Sequence, residues 1–170
     1  MKKTITMAAF GLLFTGAMAF AADNTEVQTA NISVNVGAEA QFTATIGSVN
    51  LQHSGAFTDF TGFTSYGFKL RTTAGSGSGS VTVSVAPFTG LGATLPAVAA
   101  DLSITSATAS IGNGISATPL TADSAVSVAT FGQDTHATAG TGQVNWKLLD
   151  DPNYSTGTTQ TVVTYTISVS

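Results

Sequence analysis

Cysteine is absent from the 170 residues. That absence removes disulfides, thiolate metal sites, cysteine nucleophiles and a lipid anchor on a cleavage-site cysteine. Charge is almost as scarce. Charged residues make up 8% of the chain, against roughly a quarter in ordinary soluble domains, so Ser, Thr, Asn and Gly carry most of the polarity. Basic residues number 5 against 9 acidic ones. Nucleic acid is therefore not an expected partner, because neutralising phosphates requires clustered Lys and Arg. Helical patterning is missing as well: no window of about 11 residues repeats its apolar side chains every 3.6 positions with Glu, Lys or Leu support.

What is present begins at the N-terminus. Lys2 and Lys3 precede an uncharged stretch, Thr4 to Phe20, that contains Ile5, Phe10, Leu12, Leu13 and Phe14 and runs into Ala19-Phe20-Ala21. A positive n-region, an apolar h-region and a small-x-small site read, in that order, as a cleaved signal peptide over residues 1–21, of bacterial appearance. The competing reading is a retained anchor. Thr4, Thr6, Gly11, Thr15 and Gly16 dilute the stretch, which falls short of the roughly 20 strongly apolar residues a span needs. Cleavage removes Lys2 and Lys3, leaves Lys69, Arg71 and Lys147, and moves the net charge from −4 to −6. The mature chain is then expected in the periplasm, at the cell surface or outside the cell, with no membrane span. Some 150 residues can bury about two-thirds of their unfolded surface, enough for one domain held by burial alone.

Apolar residues at every second position are the main sign of half-buried strands. Ile32, Val34 and Val36 alternate with polar neighbours, as do Phe42, Ala44 and Ile46. Both stretches predict strands. The same pattern recurs at Tyr66-Phe68-Leu70, Val81-Val83-Val85, Leu102-Ile104, Val126-Val128, Val144-Trp146-Leu148 and Val163-Tyr165-Ile167-Val169. Between them lie turn formers: Gly75 to Gly79, Gly112-Asn113-Gly114, Gly140-Thr141-Gly142 and Asp151-Pro152-Asn153. Eight or nine short strands at this spacing predict an all-β, antiparallel β-sandwich of immunoglobulin-like type. A transmembrane barrel is disfavoured, because its strands need roughly 9 to 11 residues and aromatic girdles.

No catalytic constellation emerges, and an enzyme is not expected. Gly75-Ser76-Gly77-Ser78-Gly79 matches the string of a nucleophile elbow, yet it lies in a Ser/Gly repeat between two strands, where a flexible hairpin loop explains it. It also lacks the Gly-Lys-Ser/Thr ending of a phosphate loop. His136 with Asp134 could be drawn into a triad, but nothing marks a serine partner. His53 and His136 have no third ligand at a recognisable spacing for zinc. Asp150 and Asp151 could lend oxygens to calcium; a turn through Pro152 and Asn153 accounts for them more simply. Trp146 and Tyr154 are candidates for a sugar-stacking platform, against a core reading of Trp146 between Val144 and Leu148. No cofactor is implied.

The run Ala30-Asn31-Ile32-Ser33-Val34-Asn35-Val36-Gly37-Ala38-Glu39-Ala40-Gln41-Phe42 resembles the opening of the spore coat protein U and archaic chaperone-usher pilin group. The run from Tyr154 to Gly157 and on through Thr164-Tyr165-Thr166-Ile167-Ser168-Val169 resembles that group's final strand. The resemblance implies an incomplete sandwich whose groove is filled by the N-terminal extension of the next subunit, delivered with the help of a periplasmic chaperone. Ile32, Val34 and Val36 would be the donor face, with Val27 an earlier contact. One departure stands out: where those pilins usually carry a cysteine, this chain has Phe42. The expected organisation is a signal peptide (1–21), an N-terminal extension or first strand (22–36) and a sandwich (37–170). The expected role is an exported structural or adhesive subunit that associates with itself or with other surface proteins. A secreted carbohydrate-binding module using Trp146 and Tyr154 is the alternative.

Overall fold

Alternation of Val and Ile with Thr and Ser favours extended backbone, because β-branched side chains suit a pleated surface with one face buried. The computed structural model describes residues 29–170, and its regular structure is almost entirely strand. The expected signal peptide and Val27 lie outside the described residues. Of ten strands, eight form one antiparallel sheet in the order β1-β2-β8-β5-β6-β7-β3-β10: β1 (Glu39–Phe42), β2 (Phe60–Arg71), β3 (Gly79–Val85), β5 (Leu102–Ala109), β6 (Asn113–Thr118), β7 (Val126–Phe131), β8 (His136–Leu148) and β10 (Val163–Val169). A second, small sheet pairs β4 (Thr89–Gly90) with β9 (Thr159–Gln160). One short helix, α1 (Val98–Asp101), precedes β5, and no helix of the described residues is long and apolar enough to cross a membrane.

The long sheet folds over on itself at β6. Asn113 and Gly114 pair with Thr130 and Ala129 of β7, while Ile115, Ser116 and Thr118 pair with Ala107, Ser106 and Ile104 of β5. One layer is thus β1-β2-β8-β5 and the other β7-β3-β10. Between them Phe68, Val81, Val83, Ile104, Val128 and Val144 are fully buried, and each such side chain stabilises the fold by about 1.5 to 3 kcal/mol. The layers meet directly where Phe68 of β2 lies 5.2 Å, ring centre to ring centre, from Phe131 of β7. The expected all-β sandwich is the fold observed.

Three local expectations are corrected. Residues 31–36 lie outside every strand and are exposed, so they are not a first strand of the sandwich. Of the Phe42-to-Ile46 stretch, only Phe42 is in a strand. Gly140-Thr141-Gly142, expected as a turn, runs through the middle of β8. The last case has a steric cause. A Cβ on Gly140 would stand 2.3 Å from the Phe68 ring, and one on Gly142 would stand 2.2 Å from the Tyr66 ring. Two aromatic rings of β2 lie flat across the neighbouring strand where it has no side chains.

Candidate functional site

A sheet that folds over but does not close leaves two edges. Here they are β1 and β10, which run alongside each other across a seam without a hydrogen-bonded ladder between them. β10 pairs with β3 along its whole length, Val163 opposite Val85 through Val169 opposite Gly79. The next residue continues the attachment, Ser170 N–H donating to Ser78 O at 2.8 Å. Its other edge carries no strand partner among the described residues. Val163, Tyr165, Ile167 and Val169 point inward yet remain only half-buried, whereas Thr164, Thr166 and Ser168 are exposed. A row of apolar side chains left half-covered beside unpaired backbone groups is the arrangement that recruits another strand.

The opposite lip is shorter. β1 holds to β2 over four residues, Glu39 opposite Arg71 through Phe42 opposite Phe68. Arg71 secures its start: the guanidinium lies 2.9 Å from Glu39 Oε1 and its Nε donates to Gly37 O at 2.8 Å. Both partners of this ion pair face solvent, so it contributes no more than about 1 kcal/mol. Phe42 packs edge-on against Tyr66, 6.2 Å between ring centres, and Tyr66 lies 5.8 Å from Tyr165 on the far lip.

Beneath the seam runs a buried polar chain. Trp146 Nε1 donates to Thr64 Oγ1 at 2.9 Å, and the same oxygen hydrogen-bonds the Tyr165 hydroxyl. β8, β2 and β10 are thereby tied together. Burial raises the Tyr165 phenol above its ordinary pKa, against the opposing pull of its bonds with Thr64 and Trp146. Tyr66 is pushed up to about 12, mainly by burial and then by the neighbouring Tyr165. Its hydroxyl is buried without a hydrogen-bond partner among the described residues.

The residues singled out from the sequence fall in different places. Ile32, Val34 and Val36 are 90%, 75% and 59% exposed. Asn35–Ser170 form one compact unit, and Thr29–Val34 belong to a separate N-terminal part. Trp146 is 3% exposed, its ring in the core and its N–H satisfied by Thr64, so it presents no face to a sugar. Tyr154 is half-buried with its hydroxyl turned inside; burial first, and then the Asp101 carboxylate, hold its phenol above the ordinary value. The two do not form a platform. Asp151 Oδ1 accepts the backbone N–H of Asn153 at 2.8 Å, the geometry of a turn. His136 pairs with Asp134 at 2.9 Å on the surface, while His53 lies 4.8 Å from the Phe60 ring, and β2 and β8 put Phe60 and His136 at opposite ends of the sheet. No three His, Asp or Glu side chains among the described residues are gathered to hold a metal ion.

Sequence reasoning identified β10 but not the contacts that Thr64 and Tyr66 make with its Tyr165. A signal for Thr64 was present: it is the polar member of the inward row Thr64, Tyr66, Phe68 and Leu70, and a hydroxyl at such a position needs a buried partner. Comparison of the chain with family models, with curated proteins and with solved structures finds no match.

Proposed function

We propose that the protein is an exported structural or adhesive subunit that assembles with copies of itself by strand addition, in the manner of the pilin group its termini resemble. The observation that carries this reading is the half-covered apolar row of β10 beside an edge with no strand partner among the described residues. The occupant is the segment Asn31–Val36 of a second copy. Its alternating Ile32, Val34 and Val36 are exposed and match in period the inward positions of β10. Backbone hydrogen bonds would then supply affinity and the alternate side chains register. The reading places the mature chain in the periplasm or at the cell surface, with a periplasmic chaperone as a further partner that shields the edge before assembly.

The test is the size of the mature chain with and without residues 23–36, measured by light scattering. Oligomers that grow with concentration and vanish on truncation are expected. Monomers in both cases would overturn the proposal.

A further inference from the structure

The first strand is interrupted where its sequence pattern is not. Phe42, Ala44 and Ile46 continue the alternation of β1, and Thr43 N–H still donates to Gly67 O at 2.9 Å. Pairing along that edge of β2 then stops. It resumes only at Gln52, which exchanges two backbone hydrogen bonds with Thr61, at 2.8 and 2.7 Å. Between these points β2 contributes the five residues Gly62–Tyr66 and the facing chain the eight residues Ala44–Leu51. Three residues are therefore in excess. The slack leaves one edge of Gly62–Tyr66 without a strand partner among the described residues.

This detached stretch lies on the β2 edge that faces β10 across the seam. Its hold on the core is slight. Ile46 is half-buried against the core between the exposed Thr43–Thr45 and Gly47–Asn50, and Leu51 anchors its end. Where the stretch rejoins β2, Gly62 has no side chain in the way: side-chain carbons of Leu51 and Val49 lie 2.8 and 3.1 Å from where a Cβ would stand.

We propose that Thr43–Leu51 is a self-inhibitory strap. In the monomer it keeps Ile46 seated in the seam and so denies an incoming strand access to the β10 edge. On assembly the incoming strand displaces Ile46, and the three residues of slack let the strap swing out while the Gln52–Thr61 pair stays closed. Half-buried Ile46, together with Val49 lying over Gly62, gives a barrier that is real but surmountable, so the subunit stays soluble until it meets a donor. This inference rests on the strand-addition reading above and adds a gate to it.

The experiment measures capture of a fluorescent peptide of residues 29–38 by the dilute mature chain, in three forms: unaltered, Ile46→Ser, and a deletion of residues 48–50 that removes the slack. Loosening the strap should speed capture on the order of tenfold, the effect of releasing one half-buried aliphatic side chain. Removing the slack should slow it by a similar factor. Hydrogen exchange on the unaltered chain provides a readout independent of the variants' folding: on capture, the Thr43 amide, bonded to Gly67 O, should lose protection while those of Gln52 and Thr61 keep it. Capture at one rate by all three forms, with protection of the Thr43 amide unchanged, would overturn the strap and leave strand addition standing. No capture by any form would overturn both.

Discussion

The indole N–H of Trp146 ends on Thr64 Oγ1, 2.9 Å away, and that oxygen also meets the Tyr165 hydroxyl. One threonine thus satisfies the polar atoms of two large side chains drawn from different layers. Thr64→Val keeps the shape and removes the oxygen, leaving a buried indole N–H and a half-buried phenol without their partner. A loss of about 1 to 3 kcal/mol is expected, read from urea unfolding followed by the fluorescence of the one tryptophan. Tyr165→Phe should cost less, because Thr64 can still accept from Trp146. Equal stability of Thr64→Val and the parent would show that the chain of hydrogen bonds contributes nothing.

Alkali should unfold the protein through Tyr66. Its phenol is raised to about 12 in the folded chain against about 10 in the unfolded one. A group whose folded pKa is raised contributes stability that is fully present below pH 10 and is lost as the pH climbs toward 12. The loss amounts to about 2 to 3 kcal/mol. Denaturant midpoints at pH 9 and pH 11.5 should differ accordingly, and Tyr66→Phe should flatten the difference.

Gly142 and Gly132 predict opposite responses to the same substitution. A Cβ on Gly142 would come within 2.2 Å of the Tyr66 ring, whereas one on Gly132 meets nothing within 4 Å. Gly142→Ala should therefore destabilise by about 1 to 3 kcal/mol through overpacking. Gly132→Ala should stay within about 0.5 kcal/mol of the parent. Thermal melts of the two variants make the comparison, and a neutral Gly142→Ala would mean that the Tyr66 ring can move aside freely.

Val34→Asp tests assembly without touching the sandwich, since Val34 is exposed and outside every strand. The circular dichroism spectrum and the melting temperature should match the parent. Concentration-dependent oligomers in light scattering should disappear, because a carboxylate on the donor face would be carried into an apolar seam. Oligomers of unchanged size would remove Val34 from the interface.

Much of the sandwich was legible because its signal is local. In β3 and β10 each inward Val, Tyr or Ile is followed by an outward Ser or Thr, and the period alone places both strands. Trp146 read correctly as core for the same reason, flanked at two-residue spacing by Val144 and Leu148. The misreadings share a different cause. Gly140 and Gly142 look like a turn until the rings of Phe68 and Tyr66, about seventy residues earlier, are laid over them; no local pattern carries that information. The mismatch beside β2 was illegible because it is a difference in length between two segments, fixed only when both Thr43 and Gln52 find their places on β2. At Ile32, Val34 and Val36 the alternation reports a two-faced segment and says nothing about which molecule covers the face.

The ladder between β10 and β3 also decides how the domain would bear load. Tension drawn along β10 acts in the plane of the strands, so the bonds from Val163–Val85 to Val169–Gly79 are strained in shear and must fail together rather than unzip one at a time. The domain would resist a pull along that strand far better than one applied crosswise.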